Sequence, residues 1–352
     1  MPAPAPAVRL SRAAAELRAG RAVVLHDGEG TALVHAAEAV SEGDLAGLRQ
    51  RGQPLLVLPL RRAAVLRVLP GEGDAVAIVI EPRADAALIR GLADATTDLD
   101  QPLRGPFRRI KQRQPPRIQA ALQLCKRAGL LPAAVLVDGA ADDGALSVTA
   151  DEVDGGAPAL RQVATAKLPL AEAENTSIVA FRPDDGGPEQ LALLIGEVAV
   201  SRPVLTRLHS SCLTGDVLGS LKCDCGPQLR GAVAAIAQAG GGVLLYLAQE
   251  GRGIGLVNKL RAYALQDQGF DTVEANLRLG FEADERDFAI AATMLRTLGI
   301  GQVRLMTNNP EKVAALAAEG IAVTERVPHA FPPNVHNERY LATKRRKSGH
   351  YL

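Results

Sequence analysis

Three of the chain's four cysteines crowd into "HSSCLTGDVLGSLKCDCG" (209–226), spaced C-x10-C-x-C as Cys212, Cys223 and Cys225. Thiolates at this spacing suit zinc: Cys223 and Cys225 can converge on one ion while Cys212 returns from the far end of a loop. Gly215, Gly219 and Gly226 permit the tight turns such a return needs. A closed structural zinc site wants four protein ligands. Three thiolates therefore point to an open position for water, acidified enough to supply hydroxide near neutral pH. Two other readings stand beside this one. His209 or Asp224 could close the site as a fourth ligand, or the cysteines could be unligated core residues.

Other stretches carry polar groups fit for an anion. "QEGRGIG" (249–255) follows a strand and opens a helix, so its glycines leave N–H groups free near a helix start, with Arg252 adding a cation. A plain tight turn explains the same residues. In "TNNPEK" (307–312), Asn309 is expected to cap a helix with Pro310 at its first position, and Lys312 supplies positive charge. In "ADERDFAIAA" (283–292), Asp284 is placed to cap the following helix, with Asp287 reinforcing it. Tyr263, in "KLRAYALQDQG", reads as a half-buried helical aromatic, and Cys125, in "ALQLCKRAGL", as an ordinary buried small residue.

The elements that must hold these groups are read from periodicity. "RAVVLHD" (21–27), "QPLLVLPL" (53–60), "DAVAIVIE" (74–81) and "PAAVLVDG" (132–139) read as strands; "SEGDLAGLRQRG" and "PPRIQAALQLCKRAG" (115–129) read as helices. The turn-rich "TADEVDGGAP" (149–158) marks a boundary. Beyond it, "SIVAFRPDDGGPEQLALLIGEV" reads as a hairpin, followed by alternating helices and strands, among them "VLLYLAQE" (243–250) and "QVRLMTN" (302–308). The expected fold class is α/β to α+β, with two domains and mixed sheets flanked by helices. The expected divisions are a disordered leader at 1–10, a first domain at 11–160, a second at 161–340 and a basic tail at 341–352.

Composition bounds the function. Of 352 residues 47% are hydrophobic but only 3% aromatic, so the core must be built from Ala, Val, Leu and Ile. Lys and Arg number 40 against 39 acids, which argues against nucleic acid as a partner, and the "KRRK" run (344–347) reads as a solvated terminus. No run of eighteen apolar residues occurs, which argues against a membrane partner. The cysteine usage fits a reducing, cytoplasmic setting.

Taken together, the cysteine stretch, "YLAQEGRGIGLVNKLRAYALQDQGFDTVEANLRLGFEADERDF", "VRLMTNNPEKV" and "YLATKRRKSGH" resemble the GTP cyclohydrolase II family over roughly residues 163–350. That family opens the imidazole ring of guanine at the first step of riboflavin synthesis. The resemblance implies one zinc per subunit on Cys212, Cys223 and Cys225, with the fourth position holding the attacking water. It implies a GTP site formed by Arg207, His209, Ser210, Ser211, Gln228, Glu250, Gly251, Arg252, Thr272, Thr307 and Lys312. Asp284 would transfer protons and Tyr263 would assist ring opening. The family describes the match of Arg286 as a nucleophile at the α-phosphate, whereas chemistry alone makes a guanidinium an electrostatic clamp. Formate, pyrophosphate and 2,5-diamino-6-ribosylamino-4(3H)-pyrimidinone 5′-phosphate are the implied products, with Mg2+ on the phosphates and a homodimer as the assembly.

The sequence departs from that family at Ser211, where "HSEC" commonly supplies a carboxylate. The alternatives this leaves open are a paralogue acting on another purine nucleotide and a non-catalytic GTP-binding regulator. "LRAGRAVVLHDGEGTALVHAAEAVSEGDLAGLRQRG" resembles the start of 3,4-dihydroxy-2-butanone 4-phosphate synthase, but Asp27 and Glu29 alone remain where that enzyme has an acidic loop. The first domain therefore reads as degenerate and catalytically silent.

Overall fold

The computed structural model describes residues 5–69, 73–111, 114–140, 144–156 and 158–347. Two compact units result: Met1–Gly156 with Val257–Glu285, and Ala157–Leu256 with Arg286–Leu352.

The first unit is built on six strands: β1 (Val23–His26), β2 (Thr31–Ala36), β3 (Leu55–Pro59), β4 (Ala75–Val79), β5 (Ala134–Asp138) and β6 (Leu146–Thr149). Their order is β4-β3-β5-β2-β1-β6. All pairs are antiparallel except β1 with β6, so the sheet is mixed. Helices α1 (Pro6–Arg18) and α5 (Pro116–Arg127) pack their Leu10, Leu17, Ile118, Ala121 and Leu124 against inward residues Val23, Leu25, Val34 and Leu136. Val24, Leu33, Leu56 and Val135 from the alternate positions are buried too, which is why these strands read as continuous apolar runs. Small helices α2 (Glu42–Arg51), α3 (Leu60–Val65), α4 (Ala86–Ala93) and α6 (Ala150–Asp154) complete the covering. Ser41 and Asp44 form a capping box on α2, as the "SEGD" spelling suggests. Cys125 is fully buried, and burial pushes its thiol up to about 12.

The second unit carries β7 (Leu160–Lys167), β8 (Thr176–Pro183), β9 (Gln190–Gly196), β10 (Val204–Ser210), β11 (Gly241–Leu247), β12 (Gln302–Met306) and β13 (Ala322–Val327). Their order is β13-β12-β10-β11-β9-β8-β7. The sheet is antiparallel from β7 to β11 and parallel across β11, β10, β12 and β13. Helix α7 (Cys225–Gln238) links β10 to β11, and α11 (Pro310–Ala318) links β12 to β13. Helix α10 (Ala289–Thr297) packs Ala291, Met294 and Leu295 onto Leu208, Leu245 and Leu305. Because β10, β11 and β12 run parallel, their carboxyl ends open on one edge, where ligands bind in open α/β sheets. The architecture is the expected one: two mixed sheets flanked by helices.

Two local expectations are corrected. Residues 6–10, expected in a disordered leader, form the first turns of α1, held by buried Leu10; residues 1–4 lie outside the described residues. Asp284 caps no helix, because α10 starts at Ala289 after Phe288; Asp287 accepts from the Ala289 N–H instead. Helix α12 (Glu338–Lys347) runs through much of the expected tail, and residues 348–352 lie outside the described residues. No helix among the described residues is long and apolar enough to cross a membrane.

Candidate active site

The parallel edge of the second sheet places the cysteines. Strand β10 ends at Ser210, and Cys212 follows directly, its carbonyl and sulfur both accepting from Gly215 N–H. A single π-type turn, Leu213–Val217, then brings the chain back, and Cys223 and Cys225 arrive at the start of α7. Gly215 lies inside this fold-back. A Cβ there would stand 2.7 Å from Cys223 Sγ and 3.1 Å from Cys212 Sγ, so only glycine fits.

The three sulfurs lie within 4.8 Å of one another, and no His, Asp or Glu joins them in a metal-ligating group among the described residues. Zinc–thiolate bonds of about 2.3 Å in tetrahedral array put neighbouring sulfurs about 3.8 Å apart. Cys212 and Cys223 Sγ stand 3.7 Å apart. Crowding has an electrostatic cost: the Cys212 hydrogen bond, with burial, pushes the Cys223 thiol up to about 11. A cation is what allows three such groups to ionise together. The donor set fits zinc, and the readings as unligated core or as a site closed by His209 or Asp224 fit less well. His209 Nε2 is engaged with Asp216, and the Asp224 carboxylate accepts from Gln228 Nε2.

Asp216 is the site residue that sequence reading missed. Its side chain is almost wholly buried and accepts from Cys212 N–H at 3.0 Å, Tyr246 O–H at 3.0 Å and His209 Nε2 at 3.0 Å. A carboxylate only accepts, so Nε2 carries the proton. Burial outweighs the Asp216 bond and holds His209 below its ordinary value, while burial and the Asp216 charge drive Tyr246 up. The two rings stack 5.6 Å apart. Cys212 and Asp216 sit four apart across one turn, and that spacing was the available signal.

Around this core stand the polar groups of the expected nucleotide site. Arg207 on β10 donates to Met306 O at 2.9 Å and to Gln228 Oε1, and burial lowers its guanidinium to about 10. It remains a cation at neutral pH. Its Nε and the Ser210 Oγ are buried without a hydrogen-bond partner among the described residues. Ser211 donates its N–H to Leu247 O. Glu250 accepts from Leu213 N–H, tying the turn at 250–253 to the cysteine loop. In that turn Gly251 and Arg252 both have positive φ, 64° and 63°, which is ordinary for glycine and strained for arginine.

Thr307 ends β12 and is 1% exposed; Asn309 caps α11 by accepting from Glu311 N–H, with Pro310 first in the helix, as expected. Lys312 reaches back to Leu208 O at 2.8 Å, and its Nζ lies 5.6 Å from the Phe288 ring centroid. Arg286 lies over the same ring at 5.2 Å. His329, unread in the sequence, bonds Gln228 O at 2.8 Å. All the expected residues except three lie in the second unit. Tyr263, Thr272 and Asp284 belong to the segment Val257–Glu285 of the first unit. There Tyr263 lies on α8 (Leu256–Asp267) beneath Lys259 Nζ, and Thr272 opens α9 (Thr272–Arg278), accepting from Gln266 Nε2.

Residues 161–328 match the family model described as GTP cyclohydrolase II. A GTP cyclohydrolase-2 of Azospirillum brasilense is 49% identical over 363 aligned positions, covering 97% of this chain and 93% of its own. One from Pseudomonas paraeruginosa (strain DSM 24068 / PA7) is 60% identical over 54% of this chain and 92% of its own. The riboflavin biosynthesis protein RibBA of Cytophaga hutchinsonii is 44% identical over 66% of this chain and 62% of its own, a reach that extends into the N-terminal part. From the three-sulfur cluster, the parallel sheet edge that carries it and a relative matched along nearly its whole length, the chain belongs to the GTP cyclohydrolase II family.

Proposed function

We propose that the chain hydrolyses GTP, opening the imidazole ring of guanine with loss of formate and of pyrophosphate, to give 2,5-diamino-6-ribosylamino-4(3H)-pyrimidinone 5′-phosphate, the first step of riboflavin synthesis. The observation that carries this reading is the convergence of Cys212, Cys223 and Cys225 without a fourth protein ligand among the described residues. Zinc held by these three sulfurs would supply Lewis-acid chemistry and lower the pKa of water. His209, neutral and fixed through Nε2, keeps one tautomer against Asp216 beside that cluster.

Arg207, Arg252, Arg286 and Lys312 supply cationic charge for a triphosphate, with Mg2+ as its companion ion. Arg286, stacked over Phe288 with Lys312, acts as an electrostatic clamp on the phosphoryl charge. Ser210, Ser211, Gln228, Glu250, Gly251, Thr272 and Thr307 complete the nucleotide contacts. Asp284 transfers protons and Tyr263 assists ring opening. Ser211 offers a hydroxyl where the family commonly has a carboxylate, so this position would bring no negative charge to a metal on the phosphates. The enzyme works as a cytoplasmic homodimer.

The N-terminal domain is silent as a synthase. Of the two acids left there, Asp27 accepts two bonds from Arg117 Nη1 at 3.0 and 3.1 Å and a third from Arg117 N–H. Arg117 also pairs with Asp138. A carboxylate so neutralised is a poor ligand for Mg2+. Incubating the zinc-loaded protein with GTP while following formate and pyrophosphate tests the main reading; formate and pyrophosphate in equal amounts are expected. Pyrophosphate without formate would contradict it.

A further inference from the structure

The first unit contains more than the N-terminal domain. Its second piece, Val257–Glu285, carries Tyr263, Thr272 and Asp284, and residues of the N-terminal piece grip it at both ends. On α8, two residues before Tyr263, the Arg261 guanidinium meets Glu38 at 3.2 and 3.3 Å and Asp94 at 3.0 Å. Its Nη1 also donates to Asn258 Oδ1 at 2.7 Å, and Asn258, wholly buried, donates to Gly129 O. Glu38 is itself fixed, accepting from Leu131 N–H at 2.6 Å. Asp94 is likewise held, by Thr96.

At the far end the same pattern recurs. Lys126 Nζ bonds Glu285, next to Asp284, at 2.6 Å, and Arg61 grips Glu282 through two nitrogens at 2.7 to 3.0 Å. Between them Gln268 donates to Thr96 O at 2.8 Å, four residues before Thr272. Gly280 has φ +90°, and a Cβ there would meet Pro59 at 2.8 Å, so the backbone of this segment lies directly against the N-terminal piece. Planar guanidinium forks fix orientation as well as distance, which is what holding a catalytic side chain requires.

We propose that the N-terminal domain, silent as a synthase, is a positioning scaffold for the segment bearing Tyr263, Thr272 and Asp284, and that Arg261 is its central positioning residue. The proposal rests on the roles given above to those three residues. Its catalytic logic is geometric: a misplacement of about 1 Å in a catalytic group costs about 100-fold in rate.

The test uses the full-length zinc-loaded chain, comparing wild type with Arg261→Ala, Arg261→Lys and Glu38→Gln by amide hydrogen exchange, bound zinc and steady-state formate release from GTP. Arg261→Ala should speed exchange in 257–285 about tenfold while exchange in 225–238 stays as in wild type. Zinc content should hold within about threefold while kcat falls by about 100-fold, and KM should rise with the loosened Thr272 contact. Arg261→Lys, keeping one cation without the fork, should recover part of kcat. Glu38→Gln supplies the same comparison should Arg261→Ala fail to fold. Unchanged exchange in 257–285, faster exchange with undiminished kcat, or equal loosening of every segment would overturn the proposal. A wild-type chain that releases no formate would sink the proposed function instead, and exchange in 257–285 would still decide whether the scaffold exists.

Discussion

His209 Nε2 stands 3.0 Å from the Asp216 carboxylate, with only 3% and 2% of the two side chains exposed. The same carboxylate holds the backbone N–H of Cys212, so one buried acid fixes both an imidazole and the entry of the cysteine loop. Asp216→Asn keeps the shape but replaces one acceptor oxygen by a donor, which must oppose another donor. Outer groups of this kind typically govern metal affinity by tenfold to 100-fold. A fall of roughly that size is expected in competition with a zinc chelator. Wild-type affinity in the variant would remove Asp216 from the metal's support.

Gly215 gives a steric prediction. Its Cβ would overlap the Cys223 and Cys212 sulfurs, and helix α7 closes the other side through Cys225. Gly215→Ala should cost roughly 1 to 3 kcal/mol by overpacking and should raise the zinc dissociation constant. Thermal unfolding with and without zinc measures both. A variant as stable as wild type in both conditions would show that the loop has room to spare.

His329 gives the pH dependence. Burial and the neighbouring Arg207 charge lower it to about 4 despite its bond to Gln228 O. The carbonyl accepts, so the folded ring is neutral with its proton on Nε2. Between about 6.5 and 4 the unfolded chain therefore binds the extra proton, and stability falls as pH falls through that window. His329→Gln, which cannot titrate, should flatten the acid limb of a denaturation series between those pH values. An unaltered limb would assign acid sensitivity to other groups.

Asp27 and Arg117 bear on the N-terminal domain. Burial would raise Asp27, but the Arg117 backbone and side-chain bonds win and hold it below the ordinary carboxylate range, ionised and paired. Ribulose 5-phosphate with Mg2+ should yield no dihydroxybutanone phosphate. Synthesis of that product would overturn the silent assignment.

Much of this was legible in the residues. The apolar runs at β1, β3, β4 and β5 read as strands because both faces of that sheet are covered, and the "SEGD" and "TNNPEK" spellings capped α2 and α11 as expected. β2, with His35 in an apolar run, and β7, largely exposed, carry no clean alternation that marks them as strands. The convergence of Cys212, Cys223 and Cys225 was suggested by their spacing, which left a closed site and an unligated core as other readings. Asp216 was not, because a single acid in a glycine-bearing loop looks like turn chemistry until the fold brings Tyr246 and His209 to it. Nor does helical periodicity show that Arg261 faces Glu38, more than two hundred positions away.

The central claim is that three sulfurs hold the ion on which guanine is opened. Its most direct measurement is formate released from GTP by Cys223→Ser beside wild type, each with its bound zinc determined. The account predicts zinc-dependent formate from wild type, and from the variant neither a full equivalent of zinc nor ring opening. Full formate release by Cys223→Ser would contradict it.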